Sequence, residues 1–136
     1  MKKHILLIDS DKGDLPMIIE AFREMEASIK CTYTDCWRHA TQMLEHLSVD
    51  AIFIHLTPCI SDHLRFIQMI KRKRKYCQIP VVVYSQQMQY YHFLACAHGA
   101  DECAAKPQHA ANMKQIVLSM VVKPNQYVHD DNHPKK

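Results

Sequence analysis

Three short segments of this chain are apolar at almost every position, and they constrain its fold more than any other feature. They are HILLID at 4–9, DAIFIHL at 50–56 and VVVYS at 81–85. A strand with one wet face alternates apolar and polar residues, whereas a strand covered on both faces is apolar throughout. These segments therefore predict a parallel sheet buried between two layers of helices.

Segments with apolar residues at helical spacing alternate with these strands, and two further strands are expected at 28–34 and 101–107. The more polar strand at 28–34 suits a sheet edge. Helices are predicted after an Asp14 cap, from Trp37 to Leu47, around 64–70, over 87–98 with Gly99 at the end, and over 109–122. Right-handed crossovers then favour an α/β fold with a doubly wound, five-stranded parallel sheet of order 2-1-3-4-5.

Length and charge exclude several classes of protein. The 136 residues suit one domain over 1–122, followed by a polar tail over 123–136. The net charge of +3 is mild and gives no general case for nucleic-acid binding. No apolar run approaches the roughly 18 residues that cross a bilayer. We therefore expect a cytoplasmic protein with no membrane partner.

The cysteines and the basic run have ordinary interpretations. The six cysteines include no Cys-x-x-Cys pair, so reduced core cysteines are expected, as in Leu94–Ala97. His92 and Cys96 lie four apart on a predicted helix, but without a second close pair we take this spacing as chance. The basic run at 71–75 is interpreted as a solvated helix end.

Polar residues gather where the predicted strands end. In the order 2-1-3-4-5 the switch point lies between the first and third strands, where α/β sheets place their ligand sites. The residues at the carboxyl ends of the strands are Asp9, Ser10, Asp11, His55, Ser85, Lys106 and Pro107. The sequence therefore predicts a functional pocket around Asp9 and His55.

The segments ILLIDSD, DAIFIHL, IPVVVYS and GADECAAKP, in this order and spacing, resemble the receiver domain of two-component response regulators over about residues 3–122. The resemblance implies a flavodoxin-like, three-layer sandwich. It also implies an acidic pair that holds magnesium, an aspartate after the third strand that takes a phosphoryl group, a Ser or Thr after the fourth strand, and a Lys-Pro after the fifth. Asp9, Ser85 and Lys106 match this pattern, and a cis peptide is expected before Pro107.

The chain departs from the family pattern at positions that carry its chemistry. Ser10 stands where the second acid belongs, and His55 stands at the phosphoacceptor position. Cys103 replaces the aromatic residue often used as the switch, and His63 replaces a glycine. Magnesium prefers hard oxygen ligands in octahedral geometry. We therefore expect weak or absent magnesium binding, no cofactor, and no aspartyl phosphate at position 55.

The resemblance and the departures together predict a stand-alone, degenerate receiver that acts by protein–protein contact and is not an enzyme. Its partner would be a histidine kinase or a downstream target, with no DNA-binding domain attached. His55 is then a packed, hydrogen-bonded imidazole. One alternative is a receiver that is phosphorylated at Asp11 or Asp62, and another is a metal sensor built on His55, Asp9 and Cys59. A nucleotide binder is disfavoured, because DSDKGD carries three acids and one glycine.

The predicted helix over 87–98 carries three aromatic residues among four consecutive positions. Tyr90, Tyr91 and Phe93 cannot all face the core at about 100° per residue, so at least one should be exposed. In the resembled family this helix, the strand over 101–107 and the helix over 109–122 form the output face. Tyr90, Tyr91 and Cys103 are therefore candidate residues of a partner or homodimer surface.

Overall fold

The computed structural model describes residues 3–9, 20, 29–56 and 60–105. These residues form a five-stranded parallel sheet of order β2-β1-β3-β4-β5, which confirms the predicted fold class and order. The strands are β1 (Lys3–Ile8), β2 (Ile29–Thr34), β3 (Ala51–His55), β4 (Val81–Ser85) and β5 (Glu102–Ala105).

Three helices among the described residues connect these strands: α1 (Trp37–Leu44), α2 (Ile60–Arg72) and α3 (Met88–Ala97). The predicted α1 boundary at Leu47 is wrong, because the chain turns after Leu44. The predicted helices after Asp14 and over 109–122, and the tail over 123–136, lie outside the described residues. None of the helices in the described ranges is long and apolar enough to cross a membrane.

The sheet is buried on both faces, as its apolar strands predict. On one face, Ile8, Ile54 and Val83 pack into a core with residues of all three helices. On the other, Leu7 and Phe53 are also fully buried. The edge strand β2 is mostly half-buried, which agrees with its more polar sequence. Side chains alternate between these two buried faces, so Asp9 and His55 lie on the second face with Leu7 and Phe53, whereas Ser85 lies on the first face with Val83.

Lys71, the first residue of the basic run at 71–75, packs against the turn between α3 and β5. Gly99 has a φ of +111°, and a Cβ built there would lie 2.8 Å from Cγ of Lys71. The ammonium of Lys71 donates to the carbonyls of Cys77 and Ile79 and to Oδ2 of Asp101, at 3.0, 3.0 and 2.8 Å. The prediction of a solvated run is therefore wrong for Lys71, although residues 72–75 are exposed.

The expected burial of the cysteines is also wrong for the part of the chain that the structure describes. Its five cysteines are free thiols, and all are half-buried except Cys96, which is exposed. In α3 the buried positions are Met88 and Ala95. Because successive helical residues are rotated by about 100°, Cys96 turns away from the core although its sequence neighbours are apolar.

Candidate functional site

The carboxyl ends of three neighbouring strands place Asp9, His55 and Tyr84 on one face of the sheet. Asp9 follows β1 directly, His55 ends β3, and Tyr84 lies in β4 opposite His55 in the parallel register. Side chains alternate between the two faces of a strand, so Asp9 shares a face with Leu7, and His55 with Phe53. The sheet therefore brings a carboxylate, an imidazole and a phenol together.

These three side chains form a closely bonded group. Nδ1 of His55 lies 3.0 Å from Oδ1 of Asp9, and the hydroxyl of Tyr84 donates to Oδ2 of Asp9 at 2.7 Å. The rings of His55 and Tyr84 stack, with centroids 5.2 Å apart and planes 16° from parallel. Asp9 and Tyr84 are fully buried and His55 is 8% exposed. His55 of β3 thus bonds to one carboxylate oxygen of Asp9, and Tyr84 of β4 bonds to the other.

The main chain at Asp9 is held by the edge strand. Its N–H donates to the carbonyl of Thr34 at 3.0 Å, and its carbonyl accepts from the hydroxyl of Tyr33 at 2.7 Å. Burial, with smaller contributions from the charges of Asp35 and Asp9, raises the pKa of Tyr33, so this phenol stays a neutral donor. The carboxylate therefore sits on a fixed backbone, and a buried acid with such partners is pre-positioned rather than mobile.

A second imidazole lies near this group. His63, in the first turns of α2, has a lowered pKa because it is buried and, to a smaller extent, because it lies near His55. Its buried Nδ1 has no hydrogen-bond partner among the described residues. His63 is therefore a neutral imidazole beside the site.

No protein-family model matches the chain, and no curated protein matches it either. Solved structures do match it. The phosphorylated cyanobacterial phytochrome response regulator RcpA is 20% identical, with 88% of this chain and 94% of that chain covered and a TM-score of 0.78. A response regulator from Thermotoga maritima is 14% identical, with 90% and 100% covered and a TM-score of 0.78.

A third match is the receiver domain of a sensor histidine kinase from Pseudomonas aeruginosa, whose structure has a magnesium ion in the active-site cleft. It is 17% identical, with 90% of this chain and 100% of that chain covered and a TM-score of 0.77. This chain has the receiver fold. At such identities the likeness establishes the fold alone, and the function must be argued from the residues of this chain.

Part of the site predicted from the sequence lies within the described residues of the receiver fold. Asp9 and His55 are brought together as expected. Ser85 is buried, but its Oγ accepts a hydrogen bond from the backbone N–H of Gln87, and no described bond joins it to Asp9 or His55. The other predicted positions lie outside the described residues: Ser10, Asp11, Cys59, Lys106 and Pro107.

Neither tyrosine of the site is among the residues predicted from the sequence. Tyr84 falls in a predicted apolar strand, and Tyr33 falls in a predicted edge strand. The alternation within VVVYS does place Tyr84 and Ser85 on opposite faces. The register that sets Tyr84 beside His55 comes from strand pairing, which a single sequence does not give.

At the position where the receiver fold implies a magnesium ion, the described residues supply the carboxylate of Asp9. Mg²⁺ requires oxygen ligands in near-octahedral geometry. At this site the two carboxylate oxygens of Asp9 accept hydrogen bonds from an imidazole and a phenol, and the residue at the end of β3 offers a ring nitrogen instead of an oxygen. The arrangement holds Asp9 through donors from the protein itself.

Among the described residues, the large apolar side chains that are exposed to solvent all lie on α3. Tyr90 and Phe93 are 70% and 80% exposed, which agrees with the expectation that at least one aromatic of this helix is exposed. Tyr91 and Cys103, which are also candidate surface residues, are instead half-buried and pack against the core. On the same helix, Cys96 lies close to both His92 and Cys103 of β5. The spacing of His92 and Cys96 alone does not predict this cluster, since the second thiol, Cys103, comes from β5.

Proposed function

We propose that this chain is a receiver-like protein of two-component signal transduction that is not phosphorylated at position 55 and acts by protein–protein contact. The observation that carries the proposal is the imidazole of His55 at the end of β3, bonded to Asp9 and stacked on Tyr84. The signalling class is supported by the receiver fold together with the family-like segments at the ends of β1, β3, β4 and β5.

The chemistry of the site supports the absence of phosphoryl transfer. Transfer to an aspartate uses a carboxylate oxygen as nucleophile and a cation that neutralises the developing charge. At position 55 the side chain is an imidazole whose Nδ1 bonds to Asp9. We accordingly propose that Mg²⁺ binds weakly or not at all, and that the protein is a signalling element without catalytic turnover.

The rival phosphoacceptors have less support. Asp62 lies in the first turn of α2 with its side chain about half exposed, 3.9 Å from Arg65 across one helical turn. A carboxylate in water lacks the enclosed, charge-stabilising surroundings on which phosphoryl transfer depends. Asp11 lies outside the described residues. A metal sensor built on His55 would need Cys59, which also lies outside them.

The proposal is tested by incubating the protein with acetyl phosphate and magnesium and measuring its intact mass. We expect no gain. The matched control is the double variant Ser10→Asp, His55→Asp, which restores the acids that the family pattern has at these positions. That variant should gain about 80 daltons, the mass of one phosphoryl group, in a base-labile form.

A stoichiometric, base-labile gain in the unmodified protein would contradict the proposal and favour the rival acids. Asp11→Asn and Asp62→Asn would then show which acid is used. An acid-labile gain that disappears in His55→Gln would also contradict it, by showing phosphorylation of the imidazole itself. Loss of the gain in Asp9→Asn alone would not distinguish these cases, so the acceptor variants are required.

We further propose that the exposed face of α3 is a protein-binding surface that includes Tyr90, Phe93 and Leu94. Exposed aromatic clusters favour interfaces, and these side chains are 70%, 80% and 42% exposed. In sedimentation experiments across a range of concentrations, we expect self-association that Phe93→Ser abolishes. His39→Ser, on the exposed face of α1, is the control. A monomer at every concentration would contradict the homodimer.

A further inference from the structure

Three metal-ligating side chains meet where α3 approaches β5. His92 and Cys96 lie one turn apart on α3, and Cys103 faces them from β5. The Sγ atom of Cys96 is 3.8 Å from Nε2 of His92 and 3.7 Å from Sγ of Cys103. All three ligand atoms lie within 4.8 Å of one another. Among the described residues, this is the group of His, Cys, Asp and Glu side chains whose ligand atoms converge.

These separations agree with those of a tetrahedral zinc site. With Zn–S bonds of about 2.3 Å and Zn–N bonds of about 2.0–2.1 Å, tetrahedral angles place two sulfurs about 3.8 Å apart and a sulfur and a nitrogen about 3.6 Å apart. The Cys96 distances are already close to both values. His92 lies within 4.8 Å of Cys103 and needs to approach it by at most about 1 Å. Because His92 is exposed, a small side-chain rotation suffices.

We propose that His92, Cys96 and Cys103 bind one Zn²⁺ ion, with water in the fourth position. Zinc suits this ligand set, since it takes thiolate and imidazole ligands together. The proposed ion would join α3 to β5 and so fix the helix that carries the exposed aromatics. It does not depend on the proposed signalling role.

Zinc binding at this site would release protons. Cysteine binds Zn²⁺ as a thiolate, so Zn²⁺ plus the two thiols gives a zinc dithiolate plus two protons. The apparent zinc affinity should consequently rise with pH.

A disulfide between Cys96 and Cys103 is the competing use of these thiols. Its sulfurs would have to close from 3.7 Å to about 2.05 Å. This reaction consumes an oxidant and makes no use of His92. The two possibilities therefore differ in whether the histidine is required.

The test is a zinc titration of the full-length, untagged, reduced protein in competition with a chromophoric chelator, accompanied by Co²⁺ absorption spectra. We expect one equivalent to bind, with a thiolate-to-cobalt charge-transfer band and the visible bands of tetrahedral Co²⁺. His92→Ala, Cys96→Ser and Cys103→Ser should each weaken zinc binding by more than the roughly 10–100-fold typical of losing a residue that only supports a ligand.

His98→Ala and Cys77→Ser are the matched controls: His98 lies two residues after Cys96, Cys77 is a half-buried free thiol, and both are outside the cluster. Both controls should keep the full affinity, and circular dichroism checks that every variant is folded. Unchanged zinc affinity in His92→Ala would overturn the proposal. Octahedral Co²⁺ without a thiolate band would also overturn it, as would a Cys96–Cys103 disulfide that persists under reducing conditions.

Discussion

Replacing Tyr84 with Phe tests whether the group around Asp9 is held as the structure shows. The substitution keeps the fully buried ring and its stacking on His55 but removes the hydroxyl that donates to Oδ2 of Asp9 at 2.7 Å. Tyr33→Phe is a matched control. This substitution also removes a hydroxyl that donates to Asp9 at 2.7 Å, but the acceptor is the neutral backbone carbonyl and not the carboxylate.

The expected magnitudes differ because the two acceptors differ in charge. A hydrogen bond to a charged group contributes about 1.5–3 kcal/mol to stability, and one between neutral groups about 0.5–1.5 kcal/mol. Tyr84→Phe should therefore cost about 2–3 kcal/mol of the free energy of unfolding, and Tyr33→Phe about 1 kcal/mol. For a chain of this size, the larger loss corresponds to a fall in Tm of roughly 5–15 °C.

Urea denaturation followed by circular dichroism measures both losses. In an Asp9→Asn background the acceptor is neutral. The free energy of unfolding lost through Tyr84→Phe should then fall to about the value lost through Tyr33→Phe. Equal costs for the two substitutions in the unmodified protein would refute the reasoning, because they would show that no charge strengthens the Tyr84 bond. A cost that does not change in the Asp9→Asn background would refute it as well.

Three further substitutions test the packing around the site and the sheet. Lys71→Met should cost about 1.5–3 kcal/mol, because this ammonium donates to three oxygens, whereas exposed Lys73→Met should change little in the same denaturation assay. Gly99→Ala should cost about 1–3 kcal/mol, since its φ is +111° and its Cβ would meet Lys71. Burial lowers the pKa of His63, so its imidazole binds a proton more readily in the unfolded chain than in the folded one. The free energy of unfolding should therefore fall as the pH drops below about 6.5. His63→Leu should make the stability less dependent on pH in this range, whereas the control His39→Leu, at an exposed position, should leave the pH dependence unchanged.

The fold was predictable because it depends on patterns that a single sequence displays. Strands that are apolar throughout require cover on both faces, and the spacing of the helical segments leaves few right-handed topologies. The errors occurred where burial depends on helix phase or distant contacts. Cys96 has apolar neighbours but faces solvent, and Lys71 belongs to a basic run but reaches Asp101 across 30 residues.

The candidate site was predictable in its position but not in its contacts. The switch-point rule locates Asp9 and His55 at adjacent strand ends, and the structure joins them. The roles of Tyr84 and Cys103 depend on strand register and on the approach of α3 to β5. Neither leaves a local signature in the sequence, because each contact joins residues from elements that are distant along the chain.

With an imidazole at position 55, the interaction between this residue and Asp9 is attractive, whereas an aspartate at position 55 would repel Asp9. Two carboxylates about 3 Å apart repel each other and need a cation or a shared proton between them. His55 and Tyr84 instead donate to Asp9, so the group is stable through the protein's own donors. Restoring aspartates at positions 10 and 55 should therefore lower the free energy of unfolding without metal. Added Mg²⁺ should then raise it in the double variant, by mass action, and leave the unmodified protein unchanged. Equal responses of the two proteins to Mg²⁺ in thermal denaturation would contradict this account.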